Sequence, residues 1–342
     1  MKYIIKLKPL APYYFGGEVT FGDKENQNYL VKSNLLPQQS ALLGLMRYEV
    51  LRRHNLLSYS NDKKNDVDGL IGSKGFDLNS DDAYNFGVIQ SISPIFITDG
   101  KYYYTPMPMD FKNLVTFESN STNKCSYDGI NEKPLPKIKD FSWKTFDSYD
   151  YWVNNNDEEV KKDDIFHEKE QVGITKNNVN ETKEKAFFKQ TLISLDEKYQ
   201  FVFTVEIEDK MFDQISESGE SIILPFGGNR SMFQMTIAKI DDNFDWCYVF
   251  RNLHRCDRLL ALGDAYLTND ERNKCQFIWG MNTNFKYMTR KENNGHNWGK
   301  PEKVEALFHL QSRGSVIFCD EKLLNEIKSE SKFNKVGLNI FV

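Results

Sequence analysis

The pattern of apolar and polar positions predicts more strands than helices. Residues 2–8 largely alternate, which predicts a half-buried opening strand. From about 38 to 54 the apolar residues recur at helical spacing with arginines on the polar side, and this is the clearest helix of the chain. Segments 87–98 and 101–105 have strand character and flank an Asp-Gly turn. The order strand, helix, strand, strand is that of the first half of a ferredoxin-like unit.

After residue 185 the strand pattern resumes. Strands are predicted at 186–195, 199–208, 222–224, 231–240, 247–251, 314–319 and 336–342, and helices at about 211–216 and 321–328. Strands and helices do not follow the regular βα rhythm of a doubly wound sheet, so the predicted fold class is α+β.

Residues 118–185 are dominated by Asn, Lys, Asp, Glu and Ser, with isolated aromatic residues such as Trp143 and Trp152. A structureless loop of that length is improbable inside a compact domain. The aromatic residues favour an insertion with some packed structure, and ordering by a partner is the alternative. We therefore predict a first domain at 1–117, an insertion with a projecting hairpin at 118–185, and a second domain at 186–342.

The charge of the chain is unevenly distributed. The 342 residues contain 44 Lys and Arg against 49 Asp and Glu, a net charge of −5. Residues 1–60 carry +4, residues 61–226 carry −12, and residues 227–300 carry +3. A mildly acidic total therefore does not exclude a polyanionic partner, because binding depends on where positive charge lies.

The cysteines and the apolar runs predict a cytoplasmic protein without a membrane span. The five cysteines are well separated, odd in number and without a C-x-x-C pair, so a disulfide framework is not expected. The longest apolar runs fall far short of the ~20 residues that a membrane helix needs. The first residues lack the continuous apolar core of a signal peptide.

The most distinctive local motif is a glycine pair between two predicted strands, and it continues with polar residues. Its members are Gly227, Gly228, Asn229, Arg230 and Ser231. Paired glycines permit positive φ and close approach of another backbone, and an arginine adds a fork that pairs with phosphate. The alternative is an ordinary tight turn. The spacing is not that of a nucleotide-binding P-loop.

The start of the 38–54 helix is a second candidate anion site. Gln38, Gln39 and Ser40 place amide and hydroxyl groups beside backbone N–H groups that lack helical partners, and Ser33 and Asn34 precede them. A simple capping role for Ser33, Asn34 or Ser40 is the alternative.

Evidence for catalysis or metal binding is sparse. His54, at the end of the basic helix, has the chemistry of a general base for RNA cleavage, and a surface histidine at a helix end is the alternative. Cys247, His254, Cys256 and Cys275 fit no common zinc spacing. The sequence therefore favours binding over catalysis, and no cofactor or metal is predicted.

Several short motifs occur in an order that resembles the RAMP proteins of CRISPR systems. They are PLAPYYFGG at 9–17, LPQQSALLGLMR at 36–47, QVGI at 171–174 before AFF at 186–188, and GGNR at 227–230. The ending, with RGSVIF at 313–318 and VGL at 336–338, is most similar to the third subunit of type III-B (Cmr) effector complexes. The resemblance implies two ferredoxin-like (RRM-type) domains with a long insertion and a glycine-rich loop.

The resemblance also implies a function. Members of this family bind the repeat-derived 5′ tag of the CRISPR RNA, cap the repeated backbone RAMP subunits, and contact the large polymerase-like signature subunit. They meet target RNA only indirectly, and the backbone subunit is the nuclease. The residues implied in RNA binding here are Gln38, Gln39, Ser40, Arg47, Gln171, Val172, Gly173, Ile174, Lys176, Gly227, Gly228, Asn229, Arg230 and Ser231.

A physical mechanism fits these positions. Backbone amides of the glycine motif and the helix start would hold phosphates, Arg47 and Arg230 would supply charge, and a hairpin carrying Val172 and Ile174 would part neighbouring nucleotides. The acidic region 61–226 is expected to face the large subunit or solvent. The alternatives are a RAMP endoribonuclease that uses His54 to process CRISPR transcripts, or the equivalent subunit of a type III-A (Csm) complex.

Overall fold

The computed structural model describes residues 1–16, 30–58, 60–79, 84–112, 115–117, 124–125, 132–139, 150–176, 182–292, 298–303, 306–329 and 332–342. The helices are α1 (Gln39–Arg53), α2 (Lys64–Ile71), α3 (Lys162–Ile165), α4 (Lys210–Asp213), α5 (Trp246–Val249), α6 (Asn269–Lys274) and α7 (Glu321–Lys328), with 3-10 turns at Asn61–Lys63, Arg251–Leu253 and Lys332–Val336.

The strands, in chain order, are β1 (Lys2–Pro9), β2 (Leu30–Lys32), β3 (Ile89–Ile92), β4 (Phe96–Thr98), β5 (Tyr103–Pro106), β6 (Val115–Thr116), β7 (Lys124–Cys125), β8 (Lys133–Pro134), β9 (Lys137–Ile138), β10 (Tyr151–Asn154), β11 (Glu159–Lys161), β12 (Phe166–Lys176), β13 (Thr182–Leu195), β14 (Gln200–Ile207), β15 (Glu220–Pro225), β16 (Met232–Lys239), β17 (Leu259–Leu260), β18 (Phe277–Trp279), β19 (Asn282–Phe285), β20 (Met288–Glu292), β21 (Trp298–Lys303), β22 (Phe308–Gln311) and β23 (Val316–Phe318).

A nine-stranded sheet organises the fold. Its order is β11-β10-β5-β4-β14-β1-β16-β15, and β3 also pairs with β14. The pairings within it are antiparallel, and β1 lies between β14 and β16. Both neighbours of β1 follow it by about two hundred residues along the chain, in the registers Lys2↔Glu206 and Tyr3↔Lys239.

The opening strand buries one full face, as its alternation predicts, and it also buries Ile4 on the other face. Tyr3, Ile5 and Leu7 lie in the core that also contains the apolar stripe of α1. Ile4 points the other way and belongs to a second core with Trp246 and Phe250. The segment around α5 therefore covers the face of the sheet that the sequence pattern assigns to solvent.

A long hairpin formed by β12 and β13 leaves the body next to this sheet. Its register runs from Phe166↔Leu195 at the base to Lys176↔Thr182 outward, with an irregularity between Ile174 and Lys176. The short strand β2 pairs parallel to β13. At the base, Ile165, Phe166 and Ile193 are buried, and Phe166 packs on Trp152.

The prediction of an α+β class is confirmed, since the described residues form mostly antiparallel sheets with a few helices. The divisions 1–117, 118–185 and 186–342 stay a prediction, and the large sheet takes strands from all three ranges. The arrangement as two ferredoxin-like domains stays a prediction. Of the aromatic residues in the insertion, Trp152 is buried in β10, and Trp143 lies outside the described residues.

Two predicted strands are wrong. Residues 247–251 fall in α5 and the 3-10 turn that follows, because the Asp245 side chain accepts a hydrogen bond from the Cys247 amide and starts a helix. Residues 336–342 do not form a strand: Gly337 has a φ of 76°, which interrupts extended backbone, and only the bridge Ala261↔Phe341 remains. Within the described residues, no helix combines the length and apolar composition needed to cross a membrane.

Candidate nucleic-acid interface

Strands β15 and β16 are joined by a turn at 226–231 that contains the glycine motif. The turn closes through two backbone hydrogen bonds, Phe226 N–H to Ser231 O at 2.8 Å and Ser231 N–H to Gly228 O at 3.1 Å. Gly227 has a φ of 83°, and Asn229 and Arg230 both have a φ of 54°. Two consecutive left-handed residues other than glycine are uncommon, so this backbone needs support from its surroundings.

That support comes from the segment after β1. The Gly228 N–H donates to Tyr14 O at 2.7 Å, and the Ser231 hydroxyl accepts from Tyr14 N–H at 3.3 Å. A Cβ on Gly227 would lie 2.7 Å from Tyr14 O, and one on Gly228 would lie 2.6 Å from the Tyr14 ring. Both glycines are therefore required for the close approach of a second backbone.

Ser33 and Asn34 attach to the same segment from the other side. The buried Ser33 hydroxyl accepts from Phe15 N–H at 2.8 Å, and Asn34 N–H donates to Phe15 O at 2.9 Å. Ser33 N–H in turn donates to Thr191 O on β13 at 2.9 Å. Neither residue caps a helix, so their role is to hold the segment 13–16 between the turn and the hairpin.

An aromatic cluster lies beneath this surface. Tyr13, Phe15, Phe226 and Phe233 pack with ring centroids 4.6–5.8 Å apart in the contacting pairs. The Tyr13 hydroxyl donates to Leu35 O at 2.9 Å. Burial raises the pKa of Tyr13 and of Tyr14, so both phenols stay neutral at physiological pH. The cluster gives the loops above it a rigid base.

The base of the hairpin is joined to the same place. The Asn229 side-chain amide donates to Gln190 Oε1 at 2.6 Å, and Gln190 lies opposite Gln171 in the β12–β13 register. Beyond Gln171, Val172 is 57% exposed and Gly173 is half-buried. The backbones of Ile174 and Lys176 continue β12 outward.

The charged side chains at this surface differ in whether they have an ion-pair partner. Arg230 is exposed, and it makes no hydrogen bond or ion pair with the residues that the structure describes. Two glutamates of β12 are paired, since Glu170 meets Lys189 at 2.6 Å and Glu168 pairs with Lys32 of β2. The Arg230 guanidinium is therefore available to an anion.

The side chains at the start of α1, the second predicted anion site, are arranged differently from those of the 226–231 turn. Gln38 precedes the helix without a side-chain capping bond, and Ser40 is half-buried. Gln39 is only 1% exposed, and its amide donates to Ser93 O at 3.0 Å and Val336 O at 2.8 Å. Its side chain is therefore turned into the protein, where it binds two carbonyl groups.

Arg47 is held on the second half of α1. Its Nη2 donates to Lys74 O at 3.1 Å, and its guanidinium lies 5.5 Å from the centroid of the Phe86 ring. The structure thus brings together the 226–231 turn, the segment 13–16, Ser33 and Asn34, and the hairpin at Gln171. It orients Arg47 toward the α2 region.

Two residues of this surface, Tyr14 and Gln190, are missing from the sequence prediction. Tyr14 lies within the PLAPYYFGG motif, so that motif was a usable signal. No sequence signal pointed to Gln190, because its partner Asn229 is 39 residues away and no motif relates the two positions.

The His54 side chain has a hydrogen-bond partner within the protein. Its Nε2 lies 2.7 Å from Asp209 Oδ2, and Asp209 also caps α4 by accepting from Met211 N–H at 2.8 Å. The imidazole therefore joins the end of α1 to the start of α4, as a helix-end histidine does.

The candidate zinc residues do not form a cluster. The Cys247 thiol donates to Phe341 O at 3.3 Å, and burial, with help from Asp245, raises its pKa to about 12. Cys275 is buried and Cys256 is exposed. Among the described residues, no group of three or more His, Cys, Asp or Glu side chains is placed to hold a metal ion.

Comparisons with known proteins give the family. The model of a family described as CRISPR-associated protein (Cas_Cmr3) matches residues 5–249. The fold is similar to that of a chain in the type III-B Cmr-beta complex bound to cognate target RNA, with a TM-score of 0.54, 13% identity, and coverage of 100% of this chain and 96% of that chain. A chain of the same complex bound to cognate target RNA and AMPPnP is similar over the same shares, with a TM-score of 0.50 and 14% identity.

No curated protein matches the sequence. At identities this low, the structural likeness shows a shared fold, and the family match is the stronger finding. Because that match spans well over half of the sequence, the chain belongs to the Cas_Cmr3 family of CRISPR-associated proteins, the RAMP subunits of type III effector complexes that its motifs resemble.

Proposed function

We propose that this protein is a non-catalytic CRISPR RNA-binding subunit of a type III-B effector complex, and that it holds the repeat-derived 5′ tag. The observation that carries the proposal is the convergence of three separate segments at one surface. The 226–231 turn, the segment 13–16 and the base of the β12–β13 hairpin are connected there by hydrogen bonds.

The chemistry of this surface suits a single-stranded RNA. The N–H groups of the turn other than those of Phe226, Gly228 and Ser231 are donors for phosphate oxygens, and the exposed Arg230 supplies a charged fork. The exposed Val172 on the projecting hairpin can insert between bases and part them. Because the tag is fixed in sequence, recognition needs edge contacts and shape but no reacting group.

Exposed carboxylates that precede the hairpin support protein contacts. They are Asp157, Glu158, Glu159, Asp163 and Asp164, whereas Glu168 and Glu170 on β12 are paired with lysines. Such a surface would repel RNA. We propose that it faces the large polymerase-like subunit or solvent, and that the repeated backbone subunit adjoins the RNA-binding surface.

A nuclease role is not proposed. The catalytic hypothesis depends on His54, and the 2.7 Å contact with Asp209 gives that imidazole a role in joining α1 to α4. The family match to Cas_Cmr3 favours the type III-B assignment over type III-A.

The experiment is a binding comparison between a guide RNA with its repeat-derived 5′ tag and the same RNA with a scrambled tag. We expect tighter binding of the tagged RNA, and weaker binding after Val172→Asp. The matched control is Ile223→Asp, an aliphatic strand residue that is 64% exposed on β15 and lies outside the proposed surface. Equal binding of both RNAs, or a complex that keeps its guide in register without this subunit, would contradict the proposal.

A further inference from the structure

The hydrogen bond between Asn229 and Gln190 connects the turn to the hairpin across 39 residues of chain. Gln190 is only 3% exposed, and it lies where β13 emerges from the body. On the inner side of this point Thr191 and Ile193 are buried, and on the outer side Lys189 is half-buried. The opposite strand is exposed from His167 to Val172. Among the hairpin residues whose burial the structure describes, Gln190 is therefore the outermost buried one, and Asn229 contacts it there.

The residues of this pair are suited to each other. The Asn229 backbone has a φ of 54°, and among residues with side chains Asn is one of the few that tolerate this conformation. Its short amide reaches Gln190 without a change of backbone. A buried glutamine without a partner would cost free energy, so the contact satisfies a group that cannot reach water.

The contact lies at the point about which the outer part of the hairpin would rotate. Gln190 faces Gln171, and the described hairpin extends five residues further to Lys176. At about 3.3 Å per residue the arm beyond the contact is roughly 17 Å long. A rotation of roughly 10° at Gln190 would therefore displace the outer described pairs by about 3 Å. Nucleotide recognition does not tolerate a shift of that size, because hydrogen bonds and stacking need closer placement.

We propose that Asn229 and Gln190 are positioning residues that set the angle at which the hairpin leaves the body. They thereby fix the separation between the phosphate-binding turn and the residues from Gln171 to Ile174 that part the nucleotides. The effect on RNA rests on the proposed function, whereas the effect on the hairpin angle does not. Asn229 thus acts through the hairpin and is not itself a contact to the tag.

The test measures the hairpin angle in the full chain without RNA. Spin labels are placed at Lys176→Cys, the outer end of the described arm, and at Ile223→Cys, in a Cys256→Ser background because Cys256 is an exposed thiol. We expect Gln190→Leu and Asn229→Gly, which keeps the positive φ, each to broaden or shift the distance distribution by about 3 Å. The double variant should be no worse than either single variant. Gln190→Glu keeps an acceptor for the Asn229 amide and should retain the distribution of the unaltered chain.

The matched control is Gln234→Leu. Gln234 donates to Ser221 Oγ at 2.9 Å across β15 and β16, so the change removes a polar pair from the same two strands without touching the hairpin. This variant should leave the distances unchanged. If Gln190→Leu and Asn229→Gly also leave them unchanged, the proposed role of the pair is overturned, whatever the RNA measurements show.

A second readout uses the tagged guide RNA with the hairpin unlabelled. Loss of the pair should weaken binding of the tagged RNA about fivefold and leave binding of the scrambled-tag RNA nearly unchanged. Changed distances with unchanged tag affinity would overturn the positioning role in recognition. If the unaltered chain binds both RNAs equally, the proposed function fails, and the distances still decide whether the pair sets the angle.

Discussion

The start of α1 and the 226–231 turn carry the same kinds of polar groups, and the fold uses them in opposite ways. At α1 the Gln39 side chain is directed inward and binds two carbonyl groups, one from Ser93 and one from Val336 near the C-terminal end. At the turn, Arg230 is exposed and Asn229 joins two surface segments. Similar residues therefore stabilise the interior at one site and shape a binding surface at the other.

The cause of the difference is the neighbouring backbone. A Cβ on Gly337 would lie 2.2 Å from Gln39 Nε2, so the C-terminal segment packs directly over the helix start. The turn instead contacts Tyr14 through its glycines and Gln190 through Asn229, and it leaves Arg230 exposed. A side-chain amide near a helix start thus forms tertiary hydrogen bonds when another segment packs against it. Four predictions test this comparison.

The largest effect is expected for Gly227→Val. The change forces a β-branched residue into a φ of 83° and puts its Cβ 2.7 Å from Tyr14 O, so we expect a loss of about 3 kcal/mol in the free energy of unfolding. Urea denaturation followed by circular dichroism measures it. The control is Gly100→Ala, which also has positive φ but meets no atom within 4 Å and should cost about 1 kcal/mol. Equal losses would show that the contact with Tyr14 does not matter.

Gln39→Leu tests whether the Gln39 side chain stabilises the fold and takes no part in RNA binding. Two buried carbonyl groups lose their donor, so the free energy of unfolding should fall by about 2 kcal/mol. The affinity of the folded variant for tagged RNA should not change. Ser40→Ala, at a half-buried position in the same turn, should alter stability by less than about 0.5 kcal/mol. A variant with normal stability and weak RNA binding would reverse the assignment of Gln39.

Ser33→Ala tests the support that the segment 13–16 gives to the 226–231 turn. The change leaves the buried Phe15 N–H without its 2.8 Å acceptor, and we expect a loss of about 1.5 kcal/mol in the free energy of unfolding. Hydrogen exchange should show faster opening at residues 13–16 than at α1. Uniform acceleration across both would mean that Ser33 supports the whole fold and not the surface.

Arg230→Ala should have the smallest effect and should act on binding alone. Loss of one phosphate contact should weaken binding of tagged RNA about fivefold and reduce the dependence of log affinity on log salt by about 1. The unfolding transition should not move, because the side chain is exposed. Arg47→Ala is the contrasting variant, since Arg47 lies over Phe86 and its loss should affect stability. Salt dependence identical to that of the unaltered chain would exclude Arg230 as a phosphate contact.

Local patterns in the sequence predicted the elements that depend on local chemistry. The helix predicted at 38–54 is α1, the helix at 321–328 is α7, and the Asp-Gly turn joins β4 to β5. The errors at 247–251 and 336–342 arose where an aspartate cap or a glycine with positive φ outweighed a short apolar run. Burial of Ile4 on the second face of β1 was not predictable either, because the residues that cover it include those of the distant segment around α5.

The candidate surface was predictable to a similar degree. The glycine motif indicated a turn with close backbone approach, and the structure provides Tyr14 as the approaching segment. What the sequence does not contain is the joining of surfaces by pairs such as Asn229 and Gln190, since such contacts have no spacing rule. Gln39 shows the converse, because a residue type suited to solvent was placed in the interior by a packing partner almost 300 residues away.

The position of β1 in the sheet also has a consequence for folding during translation. Its two neighbours, β14 and β16, are translated about two hundred residues later. At about 5–20 residues per second the first strand waits on the order of 10–40 s on the ribosome before either partner exists. During that interval Tyr3, Ile5 and Leu7 have no sheet to cover them. We expect nascent chains halted before residue 232 to bind chaperones and to be cut near β1 by added protease, and chains released after residue 239 to resist cutting there.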